Sequence, residues 1–194
     1  MSTYRKIPKN LFDEIVTDVG VIVKSFNPAN PGDFNVDDIV TATTGGVTVN
    51  IKPTYSDRFD DVDNAPANTK QGKHLDNYEV TLSTTILSFK PDNVKMAIGA
   101  ADISSTKITP RNDLSLSDFE DELWWVCDKA NGGFVAACLK NVLSTDGLSI
   151  SSTKNGKGTS SVTFMAHYDV ENPDDVPVDF YVVEPTVSQA ADEG

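Results

Sequence analysis

Asp60-Asp61-Val62-Asp63 sets three carboxylates within four residues, a density that suits a hard divalent cation. A calcium loop also needs a glycine at its sharp turn and a closing glutamate; neither follows here, so the run reads as solvated loop. Gly45-Gly46 and Gly156-Lys157-Gly158 have the backbone freedom to approach a phosphate. Neither has Walker spacing or opens a helix, and both read as turns. His167 and Asp169, joined by a serine, would supply an acyl-transfer set, but no Gly-x-Ser-x-Gly elbow is present and His167 lies in a strand pattern. Cys127 and Cys138, with the distant His74 and His167, make no zinc pattern. Trp124-Trp125 has the surface to stack a sugar or a base. Adjacent strand residues point to opposite faces, however, which sends one indole to a core and the other to an interface. No acid/base pair, activated nucleophile, metal set or cofactor motif emerges, and the chain is expected not to be an enzyme.

What the sequence does specify is strand. Residues 77–89 alternate Asn77, Glu79, Thr81, Ser83 and Thr85 with Tyr78, Val80, Leu82, Thr84 and Ile86, one face for water and one for a core. At about 3.3 Å per residue this strand is about 40 Å long, far beyond the usual five or six residues. Unpaired, it would template aggregation unless closed into a barrel or joined to another copy. Residues 47–55 repeat the pattern, with Val47, Val49 and Ile51 opposing Thr48, Asn50 and Lys52. The two segments form the simplest hairpin, with residues 56–75 as a polar, aperiodic loop at its tip. A loop of that size in a compact domain is functional or becomes ordered on binding. The predicted lumen or solvent face is Thr48, Asn50, Glu79, Thr81, Ser83 and Thr85; Val49, Ile51, Val80, Leu82 and Ile86 face the core.

Elsewhere the patterns predict a first strand over 19–26, a helical turn at 37–41, and a turn at Thr44-Gly45-Gly46. A helix opens at Pro91 and ends at Gly99, with Val94, Ala97 and Ile98 as its apolar stripe. A second hairpin joins 123–128 to 134–143, a third joins 148–151 to 160–168, and a last strand covers 178–183. About eight strands and one or two short helices give a mainly β chain, a sandwich or barrel with one flanking short helix. A Gly132-Gly133 turn would set Cys127 opposite Cys138; an Asn131-Gly132 turn would set it opposite Ala136. In a reducing cytoplasm both thiols are expected free and buried.

With 194 residues and 39% hydrophobic content, the chain can bury one core. The divisions are an arm over 1–18, a β domain over 19–185 and an acidic tail over 186–194. Sixteen Lys and Arg against 29 Asp and Glu give a net charge of −13, which excludes a basic stripe for nucleic-acid backbone. From Asp169 onward there are carboxylates and no cation, so this end faces solvent or a basic partner. No apolar run is long enough for a signal peptide or a membrane span; the chain is expected in the cytoplasm, with no membrane partner.

The order of these features resembles the major tail tube proteins of long, flexible-tailed bacteriophages and prophages. The carriers are the run Asp38-Ile39-Val40-Thr41-Ala42-Thr43-Thr44-Gly45-Gly46, the long-looped hairpin, the Pro91 helix, the segment Lys140-Asn141-Val142-Leu143-Ser144-Thr145-Asp146-Gly147-Leu148, and the strand Thr163-Phe164-Met165-Ala166-His167-Tyr168. The likeness spans residues 18–185, and the fold is also similar to that of the type VI secretion tube protein. The resemblance implies a structural subunit whose sheets join in hexameric rings around a channel, with rings stacked into a tube in the virion. Its implied partners are other copies of itself and the initiator, tape measure and terminator proteins of the tail. Genomic DNA would pass without specific binding along a weakly negative lumen bearing Glu79. Asp57, Arg58, Asp60, Asp61, Asp63, Lys70 and Lys73 of the long loop become candidates for contact between subunits or rings. A monomeric carbohydrate- or receptor-binding β-sandwich and, behind it, a hydrolase are the competing assignments.

Overall fold

The computed structural model describes residues 11–185. The tail at 186–194 and the first ten residues of the predicted arm lie outside them.

Among the described residues ten strands and one α-helix form. The strands are β1 (Val21–Val23), β2 (Thr43–Asp57), β3 (Lys73–Ile86), β4 (Ala101–Ser104), β5 (Lys107–Pro110), β6 (Glu120–Asp128), β7 (Phe134–Ser144), β8 (Ser149–Ser151), β9 (Thr159–Met165) and β10 (Val178–Val183). Helix α1 is Pro91–Ile98. Eight strands make one antiparallel array in the order β1-β6-β7-β9-β3-β2, with β10 added on β7 and β8 on β9; β4 and β5 pair separately. The array is mainly β, as expected, but it is open and not a closed barrel.

Strand β7 serves both halves of the array. Residues 134–142 pair with β6 and 134–139 with β10, whereas Leu143 and Ser144 pair with β9. Just before this switch sits Asn141 at φ 51°, a left-handed conformation that asparagine tolerates better than most side chains. Its side-chain amide donates to the His167 carbonyl (3.2 Å), and His167 Nδ1 lies 3.0 Å from the Asn141 carbonyl. His167, just beyond β9, thus fastens this corner and stacks edge-on against Phe119.

The two halves fold over one core. Val80, Leu82 and Ile86 of β3 and Val162 and Phe164 of β9 meet Leu123, Ala137 and Leu139 of β6 and β7. A smaller cluster on the other face of β6–β7 holds Trp124, Ala136, Cys138 and Phe134 under Phe26. Both indoles meet a core, and Trp124 is the buried one. Trp125 is half-buried against the main core, and its indole N–H donates to the Val19 carbonyl (3.0 Å).

Several boundaries differ from expectation. The first strand is only three residues long, and the helical turn is a 3-10 turn at Val36–Asp38. Gly45 and Gly46 do not end a turn before β2; they sit inside it as a bulge, both at positive φ, with Thr84 Oγ1 donating to the Gly46 carbonyl (2.9 Å). In α1 the buried side chains are Asn93, Met96 and Ala97, and Asn93 is inside because its amide donates to the Val40 carbonyl (2.7 Å). The 131–133 connection adopts neither predicted register: Cys127 faces Val135 and Cys138 faces Trp124. A loop of five residues, closed by the Lys129 N–H to the Gly133 carbonyl, replaces a two-residue turn. The cysteines therefore occupy opposite faces of the sheet, both buried and free.

The acidic end finds its basic partners within the chain. Lys140 bridges Asp175 and Asp179, each at 3.1 Å. Lys129, buried, pairs with Glu184, whose carboxyl it holds below the usual range with help from Asn131.

Candidate functional site

The long hairpin forms as alternation requires, and it is longer than predicted. β2 and β3 pair from Thr43↔Ile86 out to Asp57↔Lys73, with bulges at Thr44/Val47 and Thr54/Tyr55. β3 is covered on its other side by β9 only from Thr81 to Ile86. Beyond that the Ala166 N–H reaches the Val80 carbonyl and the Tyr168 hydroxyl accepts the Tyr78 N–H (2.9 Å). From there outward the hairpin is a two-stranded ribbon. β2, fifteen residues long, has no strand on its outer side among the described residues.

Every predicted polar-face residue lies on one face. Thr48, Ser83 and Thr163 form one row across β2, β3 and β9, with Ser83 and Thr163 hydroxyls 3.1 Å apart. Asn50, Thr81 and Met165 form the next, and Thr85 lies beside Ser161. Alternation sets Lys52 on the same side as Thr48 and Asn50, although it was not among the lumen candidates, and the cross-strand register stands it directly opposite Glu79. That rung carries one positive and one negative charge, so the face is formally neutral there rather than weakly negative. Hydroxyls and amides dominate the remainder, a surface that offers hydrogen bonds and no fixed charge.

The opposite face runs from core to solvent. Val80, Leu82 and Ile86 are buried as expected. Ile51, also predicted for the core, shares their face but is 37% exposed, because the body of the subunit ends beneath it. Further out, Tyr55 and Leu75 pair on this same face at 58% and 39% exposure, and Phe59 and Val62 follow in the loop. The apolar side of a strand pair thus continues past the core into water.

The loop is shorter and more ordered than its composition suggests. It spans 58–72, a series of turns in which the Arg58 N–H meets the Gly72 carbonyl, Val62 N–H meets Phe59, and Gly72 N–H meets Thr69. Of the seven loop candidates, Asp57, Arg58 and Lys73 hold its neck. Asp57 accepts the Phe59 N–H and pairs with Lys73 (3.7 Å), Lys73 reaches Asn68 Oδ1 (2.9 Å), and Arg58 lies 2.9 Å from His74 Nδ1. Asp60, Asp61, Asp63 and Lys70 are exposed and join none of the ion pairs found among the described residues.

Away from the hairpin the titratable groups are structural. Arg111 meets Asp102 (3.0 Å) and Asp118 (2.6 Å), and Asp118 also accepts the Ser115 N–H (2.9 Å) in a capping box. That backbone hydrogen bond first, then Arg111, keeps the Asp118 carboxyl below its ordinary range. Burial pushes the Cys138 thiol up to about 12, and it also raises that of Cys127. Among the described residues no group of three or more His, Cys, Asp or Glu side chains is placed to hold a metal, and no helix is long and apolar enough to cross a membrane.

These features define an antiparallel β fold with, among the described residues, one long unpaired edge and an uncovered apolar ribbon. No protein-family model and no curated protein matches the sequence. Among solved structures, the chain is similar to one from the virion of a native gene transfer agent particle, at 9% identity and TM-score 0.42, covering 84% of this chain and 95% of that one. It is similar to one from the tail of an empty gene transfer agent particle with C6 symmetry, at 10% identity and TM-score 0.41, covering 84% and 96%. It is also similar to one from the tube-terminating cap of the anti-feeding prophage, at 11% identity and TM-score 0.42, covering 94% and 95%.

Proposed function

We propose that this chain is a non-enzymatic structural subunit of a phage-type tail tube, assembling with its own copies into hexameric rings that stack around a channel for DNA. The observation that carries this reading is the open edge of β2 together with the exposed apolar side of the same hairpin. An edge of fifteen residues leaves a row of backbone donors and acceptors unpaired, and soluble proteins normally shorten, charge or cover such an edge. Here its covering is another subunit. Pairing β2 with β2 would be two-fold and stop at a dimer, whereas pairing it with a different edge is head-to-tail and closes into a ring when the rotation per copy divides a full turn. The number six and the stacking come from the resemblance to tail tube proteins. In the ring the Thr/Ser/Asn face lines the channel, and the absence of a basic stripe leaves DNA free to slide.

Negative-stain microscopy of the purified protein at high concentration tests this. Rings or hollow filaments are the expected outcome. A protein that stays monomeric, with sedimentation unchanged across the concentration range, would instead support a monomeric carbohydrate- or receptor-binding module.

A further inference from the structure

Asparagine is followed by glycine twice in the chain, at Asn131-Gly132 and at Asn155-Gly156. A glycine in that place leaves its peptide nitrogen open to the asparagine side chain, because no Cβ shields it. The fold treats the two pairs differently. Asn131 is half-buried and its amide is tied at both ends: Nδ2 donates to Glu184 Oε2 (2.6 Å), and Oδ1 accepts the Gly133 N–H (2.9 Å). Asn155 stands at φ 62° in the exposed loop between β8 and β9, and its side chain joins no hydrogen bond found among the described residues. Gly156 has a structural reason to be there, since a Cβ would collide with the Thr153 hydroxyl. The backbone does not separate the two sites: the Gly132 N–H donates to the Lys129 carbonyl (3.1 Å), and the Gly156 N–H to the Thr153 carbonyl (3.0 Å).

We propose that Asn155 is a site of spontaneous deamidation and that its contacts protect Asn131 from the same reaction. Water is the co-reactant. The Gly156 nitrogen gives up its proton to water and bonds to Asn155 Cγ; the Cγ–Nδ2 bond breaks, and the amide nitrogen leaves as ammonia. A second water then opens the cyclic imide at either carbonyl, which leaves aspartate or the isomer whose backbone runs through the side-chain carbon. Nothing is oxidised or reduced. Lys154 and Lys157 flank the site and favour the nitrogen anion through which the bond forms. Asn131 would have to release both Glu184 and the Gly133 N–H before its Cγ could turn toward Gly132. Each event at Asn155 adds a negative charge to a chain that already carries −13, in the loop that joins β8 to β9, and the isomer lengthens that loop by a backbone carbon.

Peptide mapping by mass spectrometry tests this on the full-length chain, held folded in mildly alkaline buffer and sampled over time beside the same chain in denaturant. In the folded chain the Asn155 peptide should convert to its aspartate and isoaspartate forms severalfold faster than the Asn131 peptide. In denaturant, where Asn131 loses Glu184 and Gly133, the two rates should converge. Equal rates in the folded chain, or a faster Asn131, overturn the proposal; so does a difference that persists in denaturant, which would assign the selectivity to local sequence and not to the fold. The Asn155→Gln chain should lose the acidic band that grows on isoelectric focusing of the aged parent, and a band that grows unchanged places the new charge elsewhere and overturns the assignment. None of these readouts depends on tube formation, so failure of the tube reading leaves the test intact.

Discussion

Leu82 and Thr81 are neighbours on β3 that point into opposite worlds, the first fully buried and the second on the polar face. Leu82→Ala should cost about 3 kcal/mol through lost burial and the cavity left behind, and Leu82→Asp should give no soluble protein, because an unpaired carboxylate would be left in the core. Thr81→Asp should stay soluble with a far-UV spectrum like that of the parent. Equal loss of soluble protein in both would mean that the face assignment is wrong. Asp118 makes a prediction in pH. Its depressed carboxyl contributes stability that is present above the ordinary carboxylate range and lost as pH falls through the lower folded-state value. The Tm gap between the parent and Asp118→Asn should therefore be widest near neutrality and shrink from about pH 4 downward. A gap independent of pH would assign Asp118 no ionic role.

In the proposed tube, the hairpin is the element that joins one copy to the next. Ile51 and Tyr55 are exposed in the subunit, so the Ile51→Asp/Tyr55→Asp variant should fold with a Tm close to the parent's, surface changes being worth about 0.5 kcal/mol, while tubes vanish from micrographs. Replacing residues 58–72 with a short Gly-Ser connection should likewise keep the fold and abolish long tubes; if long tubes persist, the loop is dispensable. Much at this scale was legible in the sequence. Alternation gave both faces of β3, and Pro91 with Gly99 bracketed α1. The last strand was bounded correctly because polar residues and Pro177 flank an apolar run. The β4–β5 hairpin was missed: only Ala101 of its eight residues is buried, so no periodicity marks it. The register of β6 and β7 was missed because a five-residue loop replaced a tight turn. The polar face was legible, yet its neutrality was not, since only cross-strand register sets Lys52 against Glu79. Nor does a sequence reveal that β2 is an edge, because a strand's neighbours are chosen by the whole fold.

At the scale of the whole molecule, charge governs association. Each chain carries −13, so copies repel one another, and if the proposed tubes form, salt should lower the concentration at which they appear by screening that repulsion within a Debye length of about 8 Å at physiological ionic strength. Light scattering across a salt series reads this directly, and tubes that dissolve as salt rises would point instead to ion pairs as the main contacts. Duplex DNA should show no measurable binding at physiological salt. Glu79→Lys would turn each neutral Lys52–Glu79 rung into a doubly positive one, and such particles should assemble but release DNA slowly at low salt. Normal release from intact tails would remove Glu79 from the channel wall. The corner at Asn141 gives the molecule one more property. Because β7 passes unbroken from the half of the array that carries the hairpin into the half that carries β6 and β10, tension on the hairpin is borne by covalent backbone across the joint. The two halves thus share a continuous chord, like the members of a truss, with the left-handed residue Asn141 just before the point where β7 changes partners.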